Sequence, residues 1–232
     1  MTVPLLAKQG ILEAIATFIL VFVGAGAIIA NTQTDAASGL IGIAFAHGLA
    51  IFVGVAATGH ISGGHINPAV TIAFLITGRI KINKAAVYIT AQLTGATIGA
   101  FALLLLPSEA ARDAASLGTP LLGDGVDFAT GIAIEAVLTF LLVFVIFQTA
   151  GHPRGPAIAP LAIGMTITID ILIGGPLTGA AMNPARAFGP ALAGGYFNSD
   201  HVVYWIGPIL GGATAALLSH YVIQRGGDEG EA

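Results

Sequence analysis

The tripeptide Asn-Pro-Ala occurs twice, at Asn67-Pro68-Ala69 and Asn183-Pro184-Ala185, and each copy opens an apolar run too short to cross a membrane. Asparagine suits a helix N-cap and proline the first helical position, so each triplet predicts a helix start. With their triplets, the runs at 70–76 and 187–193 make helices of about 10 residues, roughly 15 Å long and half the ~30 Å hydrocarbon core. A helix that begins midway through a bilayer needs the backbone before it to line a wet cavity or to lie buried in protein. Glycine-bearing loops stand in that place: Ser62-Gly63-Gly64-His65-Ile66 and Thr178-Gly179-Ala180-Ala181-Met182.

The rest of the chain supplies the bilayer. Of its 232 residues 56% are hydrophobic and 9% charged, against about 25% charged in a soluble domain. Six stretches reach the length of a span, at 11–30, 39–58, 85–105, 129–150, 157–174 and 202–223. The first is too long for a signal core of about 7–15 residues and has no convincing cleavage site, so it reads as a span. The expected fold is therefore an all-α membrane protein of six transmembrane helices plus two re-entrant half-helices. Eight Lys and Arg against twelve Asp and Glu form no basic stripe, which excludes nucleic acid as a partner. With no cysteine there is no disulfide framework and no thiolate metal site. No nucleophile arrangement, metal cluster or phosphate-binding loop appears, so neither an enzyme nor a cofactor is expected.

The two halves are copies. An offset of 116 carries Asn67 onto Asn183, Gly48 onto Gly164, Gly63 onto Gly179, Tyr88 onto Tyr204 and Gly95 onto Gly211. An offset of 122 carries Glu13-Ala14-x-x-Thr17-Phe18 onto Glu135-Ala136-x-x-Thr139-Phe140. We place the first repeat at 1–112 and the second at 113–232. Three spans per repeat is an odd number, so the second repeat is inverted, and the half-helix starts meet near the bilayer midplane. Lys8, Arg79, Lys81, Lys84, Arg154 and Arg225 fall on one side of this arrangement and Arg112 on the other. The positive-inside rule makes the first side cytoplasmic, with both termini on it. Small residues four apart, Ala91, Gly95, Gly99 and Gly207, Gly211, Ala215, read as helix-packing ridges.

These residues resemble the aquaporin, or major intrinsic protein, family over about 11–221. The resemblance is carried by Ser62-Gly63-Gly64-His65-Ile66-Asn67-Pro68-Ala69-Val70-Thr71, by Met182-Asn183-Pro184-Ala185-Arg186, and by Glu13 with Glu135. It implies an independent pore in every subunit of a homotetramer. Capping leaves each asparagine an amide N–H, so Asn67 and Asn183 would present donors side by side to a passing water. The positive ends of the half-helices add a field hostile to cations, as is general in aquaporin-type pores. The carbonyls of Gly63, Gly64, His65, Gly179, Ala180 and Ala181 would form an acceptor ladder on one wall. Arg186, a charge at membrane depth, reads as a filter residue that donates to the solute and repels cations.

By position, the resemblance places the other filter residues at His47, Ile171 and Ala180. Water-specific members usually carry Phe at the first place and His at the second. Here the histidine has moved and a branched aliphatic replaces it, which is similar to the plant vacuolar-membrane branch. That branch often admits ammonia, urea or other small neutral solutes as well as water. Ala187, where glycerol channels typically carry Asp, and the pair Tyr204-Trp205 favour the water type over the glycerol type. For Glu13 and Glu135 the family implies acceptors of backbone N–H bonds behind the re-entrant loops. Asp170 is expected either to pair with His47 or Arg186 and brace the filter, or to be a carboxylate at the lipid interface or a subunit contact.

The resulting expectation is a passive water channel that excludes protons and ions and also passes ammonia or similar solutes. It sits in lipid as a homotetramer, in the cell membrane or an intracellular one. The alternatives are a glycerol- or urea-type facilitator and, in other classes, a secondary transporter or a structural membrane protein.

Overall fold

The computed structural model describes residues 3–106 and 108–224; Arg225 and the 226–229 tail lie outside them. Among the described residues the regular structure is helical throughout. The order is α1 (Leu5–Gln33), α2 (Gly39–Ser62), α3 (Pro68–Ile76), α4 (Ile82–Leu103), α5 (Glu109–Ala114), α6 (Phe128–Gln148), α7 (Ala159–Thr178), α8 (Pro184–Gly194) and α9 (Val203–Leu217). A 3₁₀ turn at Ser199–Val202 leads into α9, and π-helical winding at Leu218–Gln224 continues it. α1, α2, α4, α6, α7 and the Ser199–Gln224 unit are each long and apolar enough to cross a membrane. Large apolar side chains on their outer faces, among them Ile41, Val137 and Ile173, are exposed. Only a lipid environment makes such a surface favourable, so the chain is an integral membrane protein.

The helix bounds depart from the hydropathy reading where polar residues can be served. α1 starts at Leu5 rather than at 11, because Gln9 finds a partner for its amide, the Ile61 carbonyl at 2.8 Å. α2 and α7 run on to Ser62 and Thr178, each ending at a glycine with left-handed backbone, Gly63 at φ 97° and Gly179 at φ 77°. The connection between the two halves is not a bare loop. It holds the short helix α5, capped by Ser108, whose hydroxyl accepts from the Ala111 N–H.

Packing repeats itself between the halves. α1 lies along α4 and next to α2; α6 lies along α9 and next to α7. α2 and α7 join the halves. At that joint a Cβ on Gly48 would stand 2.6 Å from the Gly164 carbonyl oxygen, and one on Gly164 2.5 Å from that of Gly48. On the two long pairs a Cβ on Gly95 would stand 2.0 Å from Ala14 O, and one on Gly211 1.9 Å from Ala136 O. Backbone contacts that close are how helices associate without a hydrophobic drive between them. The half-helices cross over: α3 packs chiefly on α9 and α8 on α4, each against the third span of the other half. Six crossings put residues 5 and 224 on one face, with Arg79, Lys81 and Arg154 in connections on that face and Arg112 in α5 on the opposite one.

Candidate functional site

Asn67 and Asn183 cap the half-helices. Asn67 Oδ1 accepts from Ala69 N at 2.8 Å; Asn183 Oδ1 accepts from Ala185 N at 3.0 Å and Arg186 N at 3.3 Å. Pro68 and Pro184 occupy the first helical positions, where their missing N–H costs nothing. The amides are cross-tied as well. Asn67 Nδ2 donates to Met182 O at 2.8 Å, and Asn183 Nδ2 donates to Ile66 O at 3.0 Å. Each amide therefore keeps one N–H rather than two, and the loops are fastened to each other at the meeting point.

The residues that accept these bonds are strained. Ile66 has φ 59° and Met182 φ 52°, left-handed values uncommon outside glycine and rarest for a β-branched side chain such as that of Ile66. They persist because each peptide is gripped at both ends. Ile66 N donates to Glu13 Oε2 at 2.6 Å and Met182 N to Glu135 Oε2 at 2.7 Å. Glu13 Oε1 also takes Ser62 Oγ at 2.7 Å and His65 N at 3.0 Å; Glu135 Oε1 takes Thr178 Oγ1 at 2.6 Å and Ala181 N at 2.9 Å. Both glutamates are fully buried. Tyr88 and Tyr204 complete the pattern by donating to Ser62 O and Thr178 O.

The halves differ at one place. Glu13 Oε2 accepts a fourth bond from Gln92 Nε2 at 2.9 Å. The offset of 116 carries Gln92 onto Pro208, which has no donor, and carries Gly54 onto Asp170. The chain thus has Gly54 with Gln92 in one half and Asp170 with Pro208 in the other.

A cavity of about 120 Å³ runs along the axis between the loops. Phe74, Ile146 and Ala150 line it toward the face that bears the chain ends, Asn67 and Asn183 at its middle, and His47, Ile171, Ala180 and Arg186 toward the opposite face. Gly63, Gly64, His65 and Ala181 line it too. Gly179 is not among the lining residues: it ends α7, and a Cβ there would press on Pro120 at 2.8 Å. The rest of the wall is aliphatic, with Leu20, Ile51, Val55, Leu142, Ile163 and Ile167 facing the polar loops.

Arg186 is held from two sides. Its Nη1 donates to Gly118 O at 2.8 Å and its Nη2 stands 3.3 Å from His47 Nε2, while Nε has no partner among the described residues. His47 Nδ1 is 2.9 Å from Ile43 O, which assigns the proton to Nδ1 and leaves Nε2 as the acceptor. The Gly118 carbonyl reaches inward from a turn in which Ser116 and Leu117 have φ 47° and 51°. No sequence pattern announced that contact.

Asp170 does not pair with His47 or Arg186: their bonds go to Gly118, Ile43 and each other. It is 1% exposed, so it lies neither at the lipid interface nor at a subunit contact. No donor among the described residues reaches its Oδ2. The reason is helical geometry: one residue back from Ile171, the side chain is turned about 100° away from the cavity.

The major intrinsic protein family model matches residues 1–219. "Probable aquaporin TIP3-2" of Arabidopsis thaliana is 45% identical over 224 residues, covering 91% of this chain and 82% of that one. "Aquaporin TIP4-4" of Zea mays is 45% identical over 215 residues, covering 89% and 82%. The X-ray structure of the aquaglyceroporin from Plasmodium falciparum superposes with a TM-score of 0.85 at 24% identity, covering 97% of this chain and 99% of that one, and shares the fold. The chain belongs to the major intrinsic protein family. That membership makes it a membrane channel and not an enzyme.

Proposed function

We propose that the chain is a passive water channel that rejects protons and ions and also passes ammonia or other small neutral solutes. The observation that carries this reading is the lining of the axial cavity. Two asparagine amides stand at its middle, an arginine at one end, and aliphatic walls enclose the rest. A water arriving at the middle turns its oxygen to the remaining N–H of Asn67 and of Asn183. Its hydrogens then point away along the axis, so a chain of waters cannot hand a proton through that point. The helix N-termini of α3 and α8 add positive potential there. Arg186, fixed by Gly118 and His47, offers its remaining donors to a solute and opposes cations.

With Ile171 in place of a polar group and Ala180 taking little volume, the narrow region suits a small uncharged molecule with few donors. Ammonia fits that description. Glu13 and Glu135 hold the loops rather than relay protons: each is enclosed by donors, and Gly63, Gly64, His65, Ala180 and Ala181 present the loop backbone to the lumen. In this reading 1–112 and 113–232 are inverted repeats, four copies assemble in the membrane, and both chain ends face the cytoplasm. The TIP-type relatives support an intracellular membrane as the alternative to the cell membrane.

Stopped-flow light scattering on reconstituted vesicles tests the proposal by comparing water, ammonia, urea and glycerol. Water and ammonia conducted at a low activation energy, with no proton current, is the expected result. Vesicles no more permeable to water than protein-free ones would end it.

A further inference from the structure

The cavity wall toward the face that bears the chain ends rests on an aromatic pair, Phe74 and Phe147, with ring centroids 4.9 Å apart. Phe74 lines the cavity beside His65, whose ring centroid is 4.6 Å away, and is itself only partly buried. Phe147 is fully buried behind it. Arg79 lies against both rings, its guanidinium carbon 4.5 Å from the centre of Phe147 and 5.8 Å from that of Phe74.

Two separate segments bond to that guanidinium. Nη1 donates to Gly151 O at 2.5 Å in the connection between α6 and α7. Nη2 donates to Gln224 Oε1 and stands 3.5 Å from His220 Nδ1, both at the end of the last helix. Gln224 in turn donates from Nε2 to Phe147 O at 2.8 Å. The arginine is itself anchored to α3: its backbone N–H donates to Phe74 O at 2.9 Å across a turn in which Gly78 takes φ 70°. The segment that supplies Gln224 is wound as a π-helix, a winding used sparingly and often at functional positions.

We propose that Arg79 is a positioning residue for conduction. It holds Phe74 flat against the wall, and the Leu218–Gln224 segment, through Gln224, sets how firmly it does so. Without the cation on its outer side, the Phe74 ring gains the rotamer that crosses the lumen. The end of the last helix then governs the bore at that mouth, although it touches no permeant. The inference rests on the water-channel reading.

The test measures water permeability per channel and its activation energy in proteoliposomes, with melting temperature as a separate readout of folding. The variants are Arg79→Gln, Arg79→Lys, Gln224→Ala, Phe74→Ala and the double variant Arg79→Gln/Phe74→Ala. Arg79→Gln is expected to lower permeability about threefold and raise the activation energy, a factor in keeping with a cation–π contact biasing a two-state ring. Arg79→Lys keeps the cation but not the fork and falls between. Gln224→Ala shifts permeability in the same direction by less. In the Phe74→Ala background Arg79→Gln has no further effect. A conducting parent with an unchanged Arg79→Gln overturns the proposal. So does a loss that persists in the Phe74→Ala background, or one that merely follows a lowered melting temperature. A parent that conducts no water overturns the channel reading and this inference together.

Discussion

Glu135 accepts the backbone N–H of Met182 at 2.7 Å, and the carbonyl of the same Met182 accepts the amide of Asn67 at 2.8 Å. One peptide in a left-handed conformation therefore links a span of the second half to the cap of a half-helix in the first. Glu13, Ile66 and Asn183 repeat the linkage from the other side.

Replacing either glutamate by Gln turns one acceptor oxygen into a donor and orphans one loop N–H. Glu135→Gln is expected to cost more than Glu13→Gln, although Glu13 makes the larger number of bonds. Next to Glu13, Gln92 can turn its amide oxygen toward the new N–H; next to Glu135, Pro208 cannot. Two unsatisfied groups in Glu135→Gln predict a loss of about 2–3 kcal/mol, or roughly 5 °C in melting temperature, with about half that for Glu13→Gln. Thermal unfolding in detergent gives the ranking, and the reverse order would refute the role of Gln92.

Arg186→Val removes a buried cation from the cavity wall and leaves His47 and Gly118 without their donor. Proton and small-cation leak is expected to rise on the order of tenfold or more, as the loss of a unit charge at close range in a partly dry site implies. Water permeability should be retained. A pH-sensitive dye trapped in the vesicles reads the leak, and vesicles as proton-tight as the parent's would show that the guanidinium is not the barrier.

Asp170→Asn tests a buried carboxyl whose Oδ2 meets no donor among the described residues. Because Asp170 touches neither Arg186 nor His47, water permeability and proton exclusion should match the parent. The melting temperature should hold or rise, since an amide is neutral at every pH and removes any cost of a buried charge at that position. A changed solute preference would return Asp170 to the filter.

Gly211→Ala places a methyl 1.9 Å from the Ala136 carbonyl oxygen, and backbone cannot swing aside as a side chain can. A loss of about 3 kcal/mol or more is expected, at the upper end for overpacking. Gly59→Ala, whose Cβ would meet only Val55 at 3.6 Å, is the tolerated control. Equal melting temperatures for the two would discount the close approach of α6 and α9.

Asp127 stands at the N-cap of α6 outside the membrane, and accepting the Thr130 N–H holds its carboxyl below the ordinary carboxylate range. A depressed value in the folded state adds stability above that range, and the gain disappears as pH falls through the folded value. The melting temperature of the parent should exceed that of Asp127→Ala near neutrality. The difference should vanish in acid; one that stays constant with pH would assign the cap no charge contribution.

Local chemistry made much of this legible. Asn followed by Pro marks a capped helix start wherever it occurs, and both triplets start α3 and α8. The apolar runs gave six spans because the bilayer imposes a length. The glycines at 95 and 211 announced close packing, and their neighbours are backbone oxygens. What the sequence concealed depends on partners far apart in the chain. An amide at Asn67 gives no sign that its acceptor is Met182. Arg79 reads as an ordinary basic loop residue, yet its side chain gathers Gly151, Phe147 and Gln224. Asp170 adjoins Ile171, which suggests a filter brace as readily as a carboxylate at the lipid interface or a subunit contact, but adjacency in a helix is separation by about a third of a turn, and the side chain is buried away from both.

The crossing of the half-helices bears on how the molecule is made. α3 emerges early in synthesis, yet its main packing partner, α9, is made more than a hundred residues later, as is the Met182 carbonyl that Asn67 binds. Until then the first re-entrant segment rests on α1, α2 and α4, with Glu13 and Thr17 holding Ile66. Closure of the conduit must therefore be among the last events of biogenesis, completed when the final span leaves the translocon.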